Sequence, residues 1–242
     1  MLSRLSALAQ TKLPSQCAVC RSWPSEPLCA ACLSRFATPR PRCPQCALAW
    51  SATEAAPSCP HCQGQTLPLQ ACFAAVDYAY PWADLLTRFK FQGQSGYSVL
   101  LSDLLLRRAG VRECLASLSP QDCLLPMPLS AERLRERGFN QAWELTKTLH
   151  ARSGCQATPS ARLLLRLRHT EAQSGLPRQA RLANVRGAFL VEPLAAASVR
   201  GRQVGLVDDV MTSGASLRAA ALALLEAGAS AVKALVVART PP

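Results

Sequence analysis

The amino-acid sequence predicts an α/β fold, a parallel sheet with helices on both faces, preceded by a small cysteine-rich module. Three observations carry this reading. Eight of the twelve cysteines fall in four C-x-x-C pairs before residue 63, and the pairs then stop. From residue 71 onward, strand-like apolar runs alternate with helical segments, the order that yields parallel strands covered by helices. Near the C-terminus an apolar run, V-G-L-V, meets two adjacent acids and then a turn of small residues that opens an Ala-rich helix.

The composition suits such a domain. The 242 residues are 49% hydrophobic and 17% charged with a mean hydropathy of +0.09, enough apolar surface to offset the entropy of ordering a core. Wholesale disorder is excluded. The richest apolar run, residues 219–225, stops at Glu226, far short of the roughly 18 residues a spanning helix needs. No membrane insertion is expected. The first residues are interrupted by Arg4, Ser6, Gln10 and Lys12, so they do not read as a secretory signal, and the expected location is the cytoplasm. Net charge is +12, with only four lysines among 27 basic residues. An arginine bias suits planar recognition of phosphate or carboxylate, and a high-GC genome explains it equally well. Residues 130–190 hold eleven basic and four acidic side chains, which points to an anionic visitor there.

The cysteine pairs are Cys17/Cys20, Cys29/Cys32, Cys43/Cys46 and Cys59/Cys62, separated by eight, ten and twelve residues. Thiolates two residues apart can face one tetrahedral ion, so four knuckles make two four-cysteine zinc sites. About 60 residues so poor in aliphatics cannot build a core unaided, which makes the metal the expected substitute. A disulfide framework would need an oxidising compartment. Pairing between chain neighbours is the default, and an interleaved cross-brace stays open. Cys72, Cys114, Cys123 and Cys155 read as small buried hydrophobes. The composition change near residues 63–70 sets the expected boundary: residues 1–70 a zinc module, 71–242 the α/β domain. Chelation is then expected to unfold the first and spare the second.

Along the second part, residues 71–80 read as a strand, 82–91 and 97–108 as helices, and 123–127 as a short apolar run. Residues 140–152 form a helix with Asn140 as its N-cap. Residues 170–187 carry little apolar pattern and look like a long excursion. Strands at 188–191 and 203–207, a helix at 215–227 and a last strand at 231–238 complete the pattern.

Asp208 and Asp209 stand at a strand's carboxyl end, where open α/β sheets bind ligands. Thr212, Ser213, Gly214, Ala215 and Ser216 then lead into a helix, whose N-terminal amides and dipole favour a phosphate. Acids beside a phosphate cradle make sense if they hold sugar hydroxyls. The stretch closely resembles the motif of type I phosphoribosyltransferases, with Ser213 and Ser216 where Thr is usual. By that resemblance Asp208 and Asp209 grip the ribose hydroxyls of phosphoribosyl pyrophosphate (PRPP), carried with Mg²⁺, and residues 212–216 hold its 5-phosphate.

The match extends upstream. The Cys-rich start, K-F-x-G at 90–93, P-x-P-L at 126–129, R-x-R-G-F-N-Q at 135–141, R-x-R-x-T-x-x-Q at 166–173 and R-x-x-N at 181–184 resemble, in order, the ComF/GntX family. That family more commonly carries His and basic residues just after P-x-P-L, where this chain has Ser130, Ala131 and Glu132. The cluster of cations makes Lys90, Arg133, Arg135, Arg137, Arg166, Arg168 and Arg181 candidates for the pyrophosphate and for a hood over the site. The resemblance implies a cytoplasmic protein of DNA uptake in competence, or of DNA utilisation, that transfers or senses phosphoribosyl groups in nucleotide metabolism. Single-stranded DNA and DNA-uptake proteins such as a ComF-type helicase are the implied partners. The alternative is a zinc-dependent single-stranded-DNA-binding module without catalysis, against which the 5% aromatic content counts, since stacking needs rings. No residue pattern identifies an acceptor.

Overall fold

The computed structural model describes residues 15–50, 59–62, 67–91, 96–167 and 187–241. The chain divides into two compact units, Met1–Thr38 and Pro39–Pro242.

In the smaller unit, a bridge between Ser15 and Ser25 closes the loop that holds the first knuckle. Helix α1 (Ala30–Phe36) begins inside the second knuckle, and its N-cap is a cysteine: the Cys29 Sγ accepts from the Cys32 N–H. Sulfur does here what a serine hydroxyl does at an ordinary helix start.

The larger unit is built on a five-stranded sheet. Its strands are β1 (Ala71–Asp77), β2 (Cys123–Pro126), β3 (Thr158–Pro159), β6 (Gln203–Met211) and β7 (Ala231–Arg239), in the order β1-β7-β6-β2-β3 and parallel throughout. The central strands β6 and β7 are buried almost along their length, as expected where both faces are covered. A second, antiparallel pair joins β4 (Leu164–Arg166) to β5 (Phe189–Val191). The chain between these two strands includes most of the expected hood, with Arg168 and Arg181, which lies outside the described residues.

Six α-helices belong to this unit among the described residues: α2 (Trp82–Phe91), α3 (Tyr97–Leu106), α4 (Val111–Ala116), α5 (Ala131–Arg137), α6 (Gln141–Ser153) and α7 (Ala215–Glu226). Alternate strand residues separate the two sheet faces. Cys72, Leu125, Leu206 and Val236 share a core with Leu217, Ala220, Ala221 and Leu224 of α7, whereas α3 and α6 pack together and against the sheet. Close packing leaves no room for a side chain at Gly205 of β6, where a Cβ would meet Leu124 at 2.8 Å.

Most expected elements of this unit are present with ends displaced by a few residues, β6 and β7 running longer than expected and β1 and α3 shorter. Helices α4 and α5 and the short strands β3 and β4 add to them. Helix α5 buries no residue, so it carries no apolar stripe for periodicity to reveal. Its caps announce it instead: the Ser130 hydroxyl accepts from the Arg133 N–H, and Gly138 closes the helix at φ +75°. Strand β6 also runs past the two acids to Met211, so Asp208 and Asp209 lie within the last residues of the strand rather than after it.

The boundary expected at residue 70 differs from the observed division at Thr38/Pro39. Cys43, Cys46, Ala47, Leu48 and Cys59 are buried in the same core cluster as α7 and the sheet. Physically, the second cysteine cluster is a wall of the larger unit's core and so cannot be cut from it.

Candidate functional site

The eight paired cysteines gather into two groups, Cys17, Cys20, Cys29 and Cys32, and Cys43, Cys46, Cys59 and Cys62. Chain neighbours therefore pair, and the cross-brace is not formed. A tetrahedral ion with Zn–S bonds of about 2.3 Å needs sulfurs about 3.8 Å apart. Cys20 and Cys29 lie 3.6 Å apart, and Cys43–Cys62 and Cys46–Cys59 each 3.8 Å. Both groups thus fit a tetrahedral dication, and no cysteine forms a disulfide. In the first group burial pushes the Cys32 thiol up to about 12, while hydrogen bonds with Ser22 and the neighbouring thiols pull Cys20 down to about 6. Such opposed shifts are what four thiols in one cluster produce, and a dication removes the conflict by binding all four as thiolates. Cys72, Cys114, Cys123 and Cys155 are all buried, and burial raises each of their pKa values.

The second constellation surrounds the acid pair on β6. Asp209 is buried, and its Oδ2 forms an ion pair with the Lys90 ammonium at 2.8 Å. Lys90 reaches it from the last turn of α2, whose Trp82, Leu85, Leu86 and Phe89 are buried and fix the helix in place. Asp208 is half-buried, and its Oδ1 accepts from the Asp209 N–H at 2.9 Å. The two carboxyls titrate apart. Desolvation and the neighbouring Asp209 charge raise Asp208 well above the usual carboxylate range. Burial pushes Asp209 the same way, but the Lys90 ammonium overrides it and holds Asp209 low. Like charges side by side thus settle with one carboxyl ionised and the other inclined to keep its proton.

Cations ring this pair. Arg133 and Arg137 are one helical turn apart on α5 and both half-buried, whereas Arg135 between them is exposed. The Arg137 guanidinium lies over the Phe91 ring at 5.0 Å, and Arg166 over Phe189 at 5.5 Å. Burial lowers both guanidinium pKa values, opposed at Arg137 by the charge of Asp209 and at Arg166 by that of Asp208. The structure therefore brings Lys90, Arg133, Arg137 and Arg166 together around the acids, and leaves Arg135 out of the group.

The turn after β6 completes the site. Gly214 is the N-cap of α7 at φ +79°, ψ 1°, and a Cβ there would lie 2.5 Å from the Met211 methyl. Only glycine makes that turn without strain. Gly214 itself has no side chain to cap the helix, and the Ser213 hydroxyl before it accepts from the Ala215 N–H at 3.4 Å. Ser213 and Ser216 are half-buried and Thr212 is exposed, so hydroxyls and the first α7 amides share one turn.

One further participant has no sequence signal. Arg239, 2% exposed at the end of β7, donates to the carbonyls of Met211 and Thr212 at the start of this turn. Nothing marks it in advance, because its partners are backbone atoms.

A parallel sheet whose central strand carries an acid pair into a glycine-capped helix start defines a phosphoribosyltransferase domain, and the phosphoribosyl transferase domain family matches residues 167–241. The chain is 33% identical over 213 residues to DNA utilization protein YhgH of Escherichia coli strain K12, covering 88% of this chain and 90% of that one. It is 31% identical over 163 residues to competence protein F of Haemophilus influenzae, covering 67% and 69%. With competence protein ComFC of Bacillus subtilis it shares 34% over 151 residues, 61% and 55% of the two chains. On similarity that spans nearly its full length, the chain belongs to the ComF/GntX family. No helix among the described residues is long and apolar enough to cross a membrane.

Proposed function

We propose that the larger unit binds PRPP with Mg²⁺, and that the protein uses this site in the uptake or utilisation of DNA, the roles its relatives' names carry. The observation that carries the reading is the Asp208/Asp209 pair running directly into the Gly214-capped start of α7. In this reading the acids accept hydrogen bonds from the ribose hydroxyls, Asp209 already ionised by Lys90. Residues 212–216 take the 5-phosphate with backbone amides and hydroxyls, a use to which helix N-termini lend themselves. Lys90, Arg133, Arg137 and Arg166 face the pyrophosphate, with Arg168 and Arg181 available from the segment that follows β4. Transfer would form a bond from the anomeric carbon of the ribose to an acceptor and break the bond to pyrophosphate, so stabilising the departing anion is the main electrostatic task. Mg²⁺ would neutralise that same anion. Zinc fills the two four-cysteine groups as structural metal.

Calorimetry of PRPP with Mg²⁺ on the zinc-loaded protein tests the reading: saturable binding is expected, and none at millimolar PRPP overturns it. Pyrophosphate release on adding nucleobases or amines then separates a transferase from a sensor, which binds and releases nothing.

A further inference from the structure

The guanidinium of Arg239 spans two places that lie far apart in the sequence, the second cysteine cluster and the turn after β6. Its Nε donates to the carbonyl of Cys46 at 2.8 Å. Its Nη1 donates to Met211 O at 3.1 Å, to Thr212 O and to Thr240 O at 2.8 Å. All these partners are backbone carbonyls, so the buried cation gains hydrogen bonds from them without gaining a neutralising charge. A zinc ion bound by four thiolates has a net charge of about −2, and Cys46 is one of those thiolates. The metal-loaded cluster is therefore the counter-charge that a 2% exposed arginine needs beside it. A second strap runs parallel: the Cys72 N–H donates to Pro44 O, inside the Cys43/Cys46 knuckle, at 2.6 Å, and the Cys72 thiol lies 3.7 Å from the Met211 sulfur. The Met211 methyl in turn packs where a Cβ of Gly214 would stand. Knuckle, arginine, methionine and phosphate turn thus form one contiguous set of contacts.

We propose that Arg239 is the positioning residue of the phosphate turn, and that through it metal occupancy of the Cys43/Cys46/Cys59/Cys62 site is thermodynamically linked to binding of the PRPP 5-phosphate. The proposal rests on the PRPP reading above. Metal fixes the knuckle and hence the Cys46 carbonyl; that carbonyl orients the guanidinium; the guanidinium holds the Met211 and Thr212 carbonyls, so the amides on the opposite side of the turn face the phosphate. Linkage is reciprocal, so PRPP must hold metal in this site as firmly as metal holds the turn for PRPP. The first cluster, Cys17/Cys20/Cys29/Cys32, belongs to the other unit and is expected to share in none of the linkage.

The test follows zinc leaving the full-length, zinc-loaded protein for a zinc-selective chromophoric chelator, with and without Mg·PRPP. Two release phases are expected, and PRPP slows one of them several-fold. In Cys20→Ser, which lacks a complete first cluster, the PRPP-sensitive phase is the one that remains. Arg239→Lys keeps the charge but reaches fewer carbonyls; it is expected to load zinc normally, bind PRPP about tenfold more weakly, and release zinc indifferently to PRPP. A merely structural arginine would change stability without abolishing that response. If Arg239→Lys does not fold, the wild-type release rates decide alone. PRPP binding by wild type with no effect on either phase overturns the linkage and leaves the PRPP site standing; absence of PRPP binding to the zinc-loaded wild type overturns both.

Discussion

The two cysteine clusters use one motif in two physical settings. Each begins with a C-x-x-C knuckle whose next residue is in the left-handed region, Arg21 at φ 62° and Ala47 at φ 55°. The surroundings then diverge. In the first cluster Cys20 is exposed and the unit's described apolar interior hardly extends beyond Leu28, so a metal held there would stand in for a core. In the second, three of four cysteines are buried, Ala47 and Leu48 lie in the main core, and the knuckle's carbonyls accept from the Cys72 N–H of β1 and the Arg239 guanidinium of β7. A metal-ligating C-x-x-C knuckle can thus be a substitute for a hydrophobic core or a wall of one, and only its packing tells which.

The largest expected effect breaks this comparison open. Cys46→Ser removes the second metal and leaves a hydroxyl in the core, a loss comparable with the whole stability of a domain, about 5–15 kcal/mol. The larger unit should then melt at far lower temperature or fail to fold. Cys20→Ser should cost the first unit its order and leave the melting of the larger unit unchanged. Elemental analysis should find about two zinc ions in wild type and about one in Cys20→Ser. Equal effects of the two variants on circular dichroism of the sheet would erase the distinction.

The acid pair separates loss of the site from loss of the wall behind it. Asp209→Asn leaves the half-buried Lys90 without its counter-charge and should cost about 3 kcal/mol of stability. Asp208→Asn should do the opposite. Because the folded-state pKa of Asp208 is raised, its ionisation opposes folding as pH rises above the unfolded value, and that cost is absent below it. Asp208→Asn should therefore melt higher than wild type at neutral pH, with the difference fading on acidification. Both variants should weaken PRPP by about 1.5–3 kcal/mol while retaining both zinc ions. For wild type, PRPP affinity should rise with pH as Asp208 ionises, and Asp208→Asn should flatten that rise. An Asp208→Asn protein less stable than wild type at neutral pH would show that the pair is not strained.

Smaller effects sharpen the picture around the site. Arg137→Ala should weaken PRPP about tenfold, while Arg135→Ala, at an exposed position, should leave it unchanged in calorimetry. If Arg135→Ala instead flattens the salt dependence of single-stranded-DNA binding, that arginine serves the nucleic acid and not the nucleotide. The smallest effect returns to the knuckles. Arg21→Gly relieves a left-handed residue at the surface and should stabilise the first unit by under about 1 kcal/mol, whereas Ala47→Gly, buried in the core, should gain nothing because lost packing cancels the relief. Thermal melts distinguish them.

How much of this was legible in the sequence depends on the range of the interactions involved. The cysteine pairs, the acid pair and the Gly214 turn are local: ligand spacing, strand end and helix start are set within about a dozen residues, and the sequence displays them in order. Sheet composition follows from alternating strands and helices for the same reason. Even helix α5, invisible to periodicity, is written locally in Ser130 and Gly138. The boundary at residue 70 departs from the structure for a different reason. Composition changes there, but packing does not, and the core closes over Cys43, Cys46 and Cys59 from strands and a helix that come much later in the chain. Likewise the sequence offers three similar arginines at 133, 135 and 137, and the helix turns two inward and one out. Arg239 marks the far end of this range. Its role is defined by carbonyl oxygens of Cys46, Met211 and Thr212, groups that every residue owns, so no residue type announces them and only the folded chain brings them to one guanidinium.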